Sequence, residues 1–239
     1  MAQGVYSQAE LALVPEAALN LSRGCGNPTG FANIQLGDVV VDFGCGGGID
    51  VILAAHQVGL QGGVVGIDFT PQMIEKAKYA VAEAGLLDRI ELHVADMAKT
   101  QLPYGSADVV ISNCVINLCP DKDEVYQEVF RILRPGGRIA ISDIVLTEAV
   151  TSELHARFQS TWAGCLGGAV PEEDYWRTIR QSGLTEIRVV VRHVLTPEEL
   201  EAMVCCPGQE FTPPVSKEDL TAVEGKVVSV KFTAVRPAL

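Results

Sequence analysis

From about residue 37 the chain alternates short β-branched runs with stretches of helical periodicity. That alternation predicts a parallel sheet with crossover helices. Val39 to Phe43 is apolar except for Asp42, as expected of a strand buried on both faces. A glycine-rich turn follows, then a helical pattern from Ile49 to about Val58 and a second strand from Val64 to Asp68. Thr70-Pro71 opens the next helix, with the threonine as N-cap and the proline at the first helical position. Ile74, Ala77, Val81 and Ala84 form its buried stripe, and Gly85 is a natural stop. Ile90 to Ala95 and Ala107 to Ser112 are the third and fourth strands. A helix starts near Asp121, with Glu124 in capping-box spacing; it buries Val125, Val129, Ile132 and Leu133 and ends at Pro135-Gly136-Gly137. Arg138 to Asp143 is the fifth strand, and runs near Arg188 to Val191 and Val227 to Val235 complete a sheet of about seven. The expected class is α/β, a mostly parallel sheet with helices on both faces.

Composition narrows the options. Hydrophobic residues are 48% of the 239, enough for one sizeable core. The 18 Lys and Arg are outnumbered by 30 Asp and Glu, for a net charge of −12, and no basic cluster stands out. A nucleic-acid partner is not expected. No apolar run approaches the ~20 residues of a membrane span, and the start lacks the basic flank and apolar stretch of a signal peptide. A cytoplasmic location without a membrane partner is therefore expected. In a reducing compartment seven cysteines do not imply a disulfide framework; Cys45, Cys114 and Cys119 read as small buried hydrophobes.

Three stretches fall outside the regular alternation: residues 1 to about 36, about 144 to 184, and about 192 to 224. They carry Cys25, Cys165 and the pair Cys205-Cys206. The expected organisation is a main domain over 1–191, with an N-terminal lid and an insertion at about 144–184, followed by a cysteine-bearing loop and final strand over 192–239. Ligands of open α/β sheets bind beyond the carboxyl ends of the strands, where such segments can close over a pocket.

The turn Asp42-Phe43-Gly44-Cys45-Gly46-Gly47-Gly48 has Ile49 where a dinucleotide fingerprint needs its last glycine. A nicotinamide oxidoreductase is disfavoured on that ground. The acid followed by G-x-G-x-G resembles motif I of class I methyltransferases, which implies their Rossmann-like fold and a site for S-adenosylmethionine. That cofactor is cationic at its sulfonium and ammonium, so an acid beside the glycines suits it. The resemblance implies that Asp42, Gly44 and Gly46 line the amino-acid end and that Asp68, followed by Phe69, takes the ribose hydroxyls. It also implies that Asp96 and Met97 meet the adenine and that Asn113 stands at the reacting end.

Several stretches are similar to arsenite S-adenosylmethionine methyltransferases. These are Leu21-Ser22-Arg23-Gly24-Cys25-Gly26-Asn27-Pro28, Ile67-Asp68-Phe69-Thr70-Pro71-Gln72-Met73, Ile111-Ser112-Asn113-Cys114-Val115-Ile116-Asn117-Leu118, and Ala163-Gly164-Cys165-Leu166-Gly167-Gly168-Ala169. The resemblance implies that arsenite or its thiol conjugates are the substrate and that Cys25 and Cys165 are catalytic ligands of arsenic. Thiolates are soft ligands and select thiophilic centres. The lone pair of trivalent arsenic can attack a methyl carbon without prior loss of a proton, so catalysis is mainly positioning. The family pattern has a further ligand cysteine just before the final strand, where this chain reads Glu224-Gly225-Lys226. Cys205 or Cys206, adjacent thiols on a Pro-Gly-flanked loop, could replace it; otherwise two protein thiols and glutathione complete the site. A thiol reductant of the glutathione or thioredoxin type is the implied co-reactant. Two rivals stay open at this point: a carbon, oxygen or nitrogen methyltransferase of a small metabolite, and a non-catalytic arsenic-binding or metal-sensing protein.

Overall fold

A computed structural model describes residues 5–21, 26–159, 164–204 and 215–238. Two short helices, α1 (Gln8–Leu11) and α2 (Glu16–Leu19), precede the sheet. Then follow β1 (Val39–Phe43), α3 (Ile49–Val58), β2 (Gly63–Asp68), α4 (Pro71–Glu83), β3 (Ile90–Val94), β4 (Ala107–Asn113), α5 (Lys122–Ile132) and β5 (Leu133–Leu146). The chain continues through α6 (Ser152–Gln159), α7 (Gly164–Gly167), α8 (Glu172–Gln181), β6 (Thr185–Val194), α9 (Pro197–Val204), α10 (Lys217–Val223) and β7 (Val227–Val235). No helix among the described residues is long and apolar enough to cross a membrane.

The seven strands run in the order β3-β2-β1-β4-β5-β7-β6. The first five are parallel, and β7 is antiparallel to both β5 and β6. Strand order reverses between β1 and β4, which opens a crevice beyond their carboxyl ends. The expected glycine turn and Asn113 both lie there. One apolar core packs α3 and α4 on one face, around Ile52, Leu53, Ile74 and Val81. A second packs α5 and α8 on the other, around Tyr126, Val129, Tyr175 and Phe232. A third, smaller core gathers Cys114, Ile144, Leu146, Phe158, Leu166, Leu200 and Val227, joining α6, α7 and α9 to the end of β5.

The sequence pattern placed these elements closely, with local differences. Asp121 caps α5 as expected, its side chain accepting from the Glu124 N–H at 3.0 Å. The helix ends at Ile132, because Leu133 already pairs with Ala107 in the sheet. Thr70 occupies the N-cap of α4 without a side-chain bond; Asp68 Oδ1 takes the Thr70 N–H instead, at 2.9 Å. His193 Nε2 lies 2.8 Å from Glu199 Oε2 on α9.

Candidate active site

The turn after β1 is built by backbone geometry that side chains resist. Gly44, Gly46 and Gly48 have φ of 76°, 51° and 93°, the left-handed region that favours glycine. At Gly44 a Cβ would also overlap Val115, so the turn sits tightly against the segment after β4. The Gly44 and Cys45 N–H groups both bond the Ile67 carbonyl, at 2.8 and 2.9 Å, which ties the turn to the end of β2.

Three carboxylates converge on this turn. Asp68 accepts from the Gly46 N–H at 3.0 Å and from Thr70, so each of its oxygens keeps a lone pair for a further donor. Asp42 is 1% exposed, and its Oδ2 has no hydrogen-bond partner. Burial, then the charges of Asp50 and Asp68, raise its pKa well above the ordinary carboxylate value. Asp50, in the first turn of α3, is raised by burial to about 6, while bonds from Asn113 and Tyr6 pull the other way. The Tyr6 hydroxyl donates at 3.0 Å to Asp50 Oδ1, and Asn113 Nδ2 donates to Oδ2 at 3.2 Å. An unpartnered buried carboxylate oxygen beside two further acids is a poor anion site and a good cation site. The donor set thus fits the ammonium and sulfonium of S-adenosylmethionine.

Sequence reasoning missed Asp50 and Tyr6. Asp50 was hidden inside an apolar helical pattern, and Tyr6 reaches it from far along the chain. The other expected cofactor residues are placed around the same crevice. Met97 is buried beyond β3, with Asp96 exposed beside it and accepting from the Ala98 N–H. Phe69, directly after Asp68, is 75% exposed.

Asn113 links this acid cluster to the thiols. Its Nδ2 donates to the Gly26 carbonyl at 2.6 Å, and its Oδ1 accepts from the Gly26 N–H at 3.1 Å. Gly26 lies against Ser142, which leaves no room there for a Cβ. The next residue after Asn113 is Cys114, whose N–H bonds the Ser142 carbonyl at 2.8 Å. The Cys165 thiol on α7 donates to the Cys114 carbonyl at 2.8 Å. Burial, then the charge of Asp143, pushes the Cys165 thiol up to about 12.

Of the expected arsenic ligands, Cys25, Cys205 and Cys206 lie outside the described residues; Cys165 is half-buried at the crevice. Cys45 behaves as the buried thiol it was read as, and Cys119 is half-buried, pushed by burial to about 11. Cys114 does not fit the filler role assigned to it: it is disulfide-bonded and stands in backbone contact with Cys165. Its φ of 59° is unusual for a residue with a side chain. No sequence signal short of the fold could have joined positions 114 and 165. Among the described residues no cluster of three His, Cys, Asp or Glu is arranged to hold a metal ion.

A family model described as a methyltransferase domain matches residues 34–184. An arsenite methyltransferase of Halobacterium salinarum is 38% identical over 184 residues, covering 77% of this chain and 46% of the relative. The human arsenite methyltransferase is 32% identical over 180 residues, covering 69% of this chain and 46% of its own length. This chain therefore spans a little under half the length of these curated relatives. The crystal structure of an arsenic(III) S-adenosylmethionine methyltransferase from Chlamydomonas reinhardtii superposes with a TM-score of 0.79 at 30% identity, over 95% of this chain and 72% of that one. Fold, crevice, family match and this neighbour agree, and the chain belongs to the arsenite S-adenosylmethionine methyltransferase family.

Proposed function

We propose that this chain methylates trivalent arsenic held by cysteine thiols, with S-adenosylmethionine as donor. The observation that carries the reading is the Cys165 thiol on the Cys114 carbonyl, one residue from Asn113, which itself touches Asp50 of the acid cluster. A thiol wall thus abuts a cation-binding crevice, which is the adjacency this reaction needs. Asp42 and Asp50 would hold the cationic end, with Gly44 and Gly46 giving it backbone access, and Asp68 would take the ribose hydroxyls. Met97 and Asp96 would take the adenine, and Phe69 would cover the ribose. When bound, the cofactor supplies an electrophilic methyl group on a sulfonium.

The acceptor side is assigned to Cys25, Cys114 and Cys165. Gly26 is bonded to Asn113, so its segment meets those of Cys114 and Cys165 at the end of β4; Cys25, its neighbour in sequence, lies outside the described residues. Each thiol that replaces a hydroxyl on arsenite releases one water, and the arsenic stays trivalent. Cys114 has to leave its disulfide first, so the proposed reaction needs a thiol reductant of the glutathione or thioredoxin type, which a cytoplasmic setting would supply. Cys205 and Cys206 are the alternative third ligand.

The test is to incubate the purified protein with arsenite, reductant and labelled cofactor and to speciate the arsenic. Methylated arsenic, abolished by Cys165→Ser with cofactor binding intact, is the expected result. Turnover that survives Cys165→Ser would favour an ordinary metabolite methyltransferase. Alkylation with and without arsenite decides the third ligand: protection of Cys25, Cys114 and Cys165 is expected, whereas protection of Cys205 or Cys206 in place of Cys114 would move the assignment to the loop.

A further inference from the structure

We propose that Asp143 is the counter-charge on the acceptor side of the methyl transfer, a buried carboxylate set behind Cys114 and Cys165 that stabilises the positive charge arriving on arsenic. The inference rests on the function proposed above.

Asp143 lies near the carboxyl end of β5 and is fully buried. Its hydrogen-bond donors are all neutral: the Tyr175 hydroxyl to Oδ2 at 2.8 Å, Asn117 Nδ2 to Oδ1 at 2.9 Å, and the Ile144 N–H to Oδ1 at 2.9 Å. Burial raises its pKa to about 6, against the pull of these donors and of the Lys122 charge, so it is an anion at neutral pH. A buried charge held by neutral groups is costly, and a neutral isostere would be cheaper at a purely structural position.

Its surroundings point to the reaction. Ser142, its chain neighbour, takes the Cys114 N–H. Asn117, which grips Asp143, also donates to the Ile144 carbonyl at 2.6 Å and has its own carbonyl against Gly168, at the end of the Cys165 loop. Asp143 therefore underlies both segments that carry the thiols, and its charge reaches the Cys165 sulfur. The other carboxylates of the crevice, Asp42, Asp50 and Asp68, sit at the donor end.

That asymmetry has a chemical consequence. The arsenic lone pair forms the arsenic–carbon bond, and the carbon–sulfur pair stays with the departing sulfur. One positive charge moves from sulfur to arsenic, and no proton moves. Anions at the donor end favour the reactant cation and so hold the charge back. An anion behind the acceptor favours the transition state over the ground state, which is the condition for acceleration. Asp143 touches none of the reacting atoms and acts through space.

The test compares Asp143→Asn with the parent chain. Asparagine keeps the shape and can accept from Asn117 and Ile144, while the Tyr175 oxygen can accept from its amide. The expected result is a single-turnover methyl-transfer rate lower by about 10- to 100-fold. Dissociation constants for arsenite and for the cofactor should change less than about threefold, because arsenic bound to thiols is neutral until the methyl arrives. With neither ligand present, Cys165 should alkylate faster at fixed pH, since the repelling charge is gone. Tyr175→Phe removes a donor that favours the ionised carboxylate, so its rate should fall at pH 6.5 and recover towards the parental rate at pH 8.5 with arsenite affinity kept, which tests the proposal even if Asp143→Asn does not fold. An unchanged rate in Asp143→Asn would overturn the proposal. So would a loss shared in proportion by arsenite affinity, or a Tyr175→Phe rate that falls with that affinity, since either assigns Asp143 to structure. A parent protein that binds arsenite without methylating it would instead bring down the proposed function, and this inference with it.

Discussion

Burial favours the neutral form of a carboxylate and donors favour the ionised form, and the three acids of the crevice balance these differently. Asp68 is held by two backbone N–H groups, whereas Asp42 and Asp50 are raised by burial. Folded Asp50 binds its proton more tightly than the unfolded chain does. Its stabilising contribution is therefore complete below about pH 4 and is lost as pH rises through about 6, a difference of about 2–3 kcal/mol. Urea midpoints measured from pH 4 to 7 should fall less in Asp50→Asn than in the parent chain. Cofactor binding follows the opposite sign, because a cation needs the ionised acids: affinity should rise from pH 5 to 7 with proton release, seen by calorimetry in two buffers. Asp68→Ala should weaken cofactor binding by about 1.5–3 kcal/mol for each charge-assisted bond lost, and unchanged affinity in a folded mutant would remove Asp68 from the site. Asp42 and Asp68 were legible because each ends a strand beside a turn motif. Asp50, Tyr6 and Asp143 were not, since their roles come from partners 44, 44 and 26 residues away.

Among elements, the decisive contact is between α7 and the turn Ile116–Leu118 after β4. At Gly168 a Cβ would run into the Asn117 carbonyl, backbone that cannot swing aside. Gly168→Ala should therefore lift α7 from this turn and separate Cys165 from Cys114. Arsenite affinity should fall at least tenfold while cofactor affinity holds, since the glycine turn after β1 is untouched; equal loss of both would mean that the strain spreads into the sheet. The strands and long helices were readable because periodicity and burial agree in them. In α4, Ile74, Ala77 and Val81 are buried as their spacing requires. The short helices α6, α7 and α9 lay in the stretches set apart from the regular core, where a few apolar residues specify no single packing. Only the third core, assembled from distant segments, shows where they go.

At the scale of the molecule, the three cores separate the turn proposed to bind the donor from the segment proposed to bind the acceptor. The first two support the sheet and the cofactor turn; the third holds the segment with Cys165. Phe158, 1% exposed, is the one aromatic among the described residues of that third core. Its replacement by alanine should cost about 3–5 kcal/mol where the cost is felt. If the third core opens by itself, as a local unit does, Phe158→Ala will lose arsenite binding with cofactor affinity retained, and hydrogen exchange will quicken over α6 and α7 alone. Exchange quickening equally in β1 and β4 would show a single cooperative unit. One feature of the sheet also orders events in time. β7 separates β6 from β5, so β6 has no place in the sheet until β7 has been made. At ordinary synthesis speeds the stretch from Val194 to Val227 takes a few seconds to translate. Throughout that interval the backbone N–H and C=O groups of β6 have no strand to pair with, an open edge that closes only when β7 zips in.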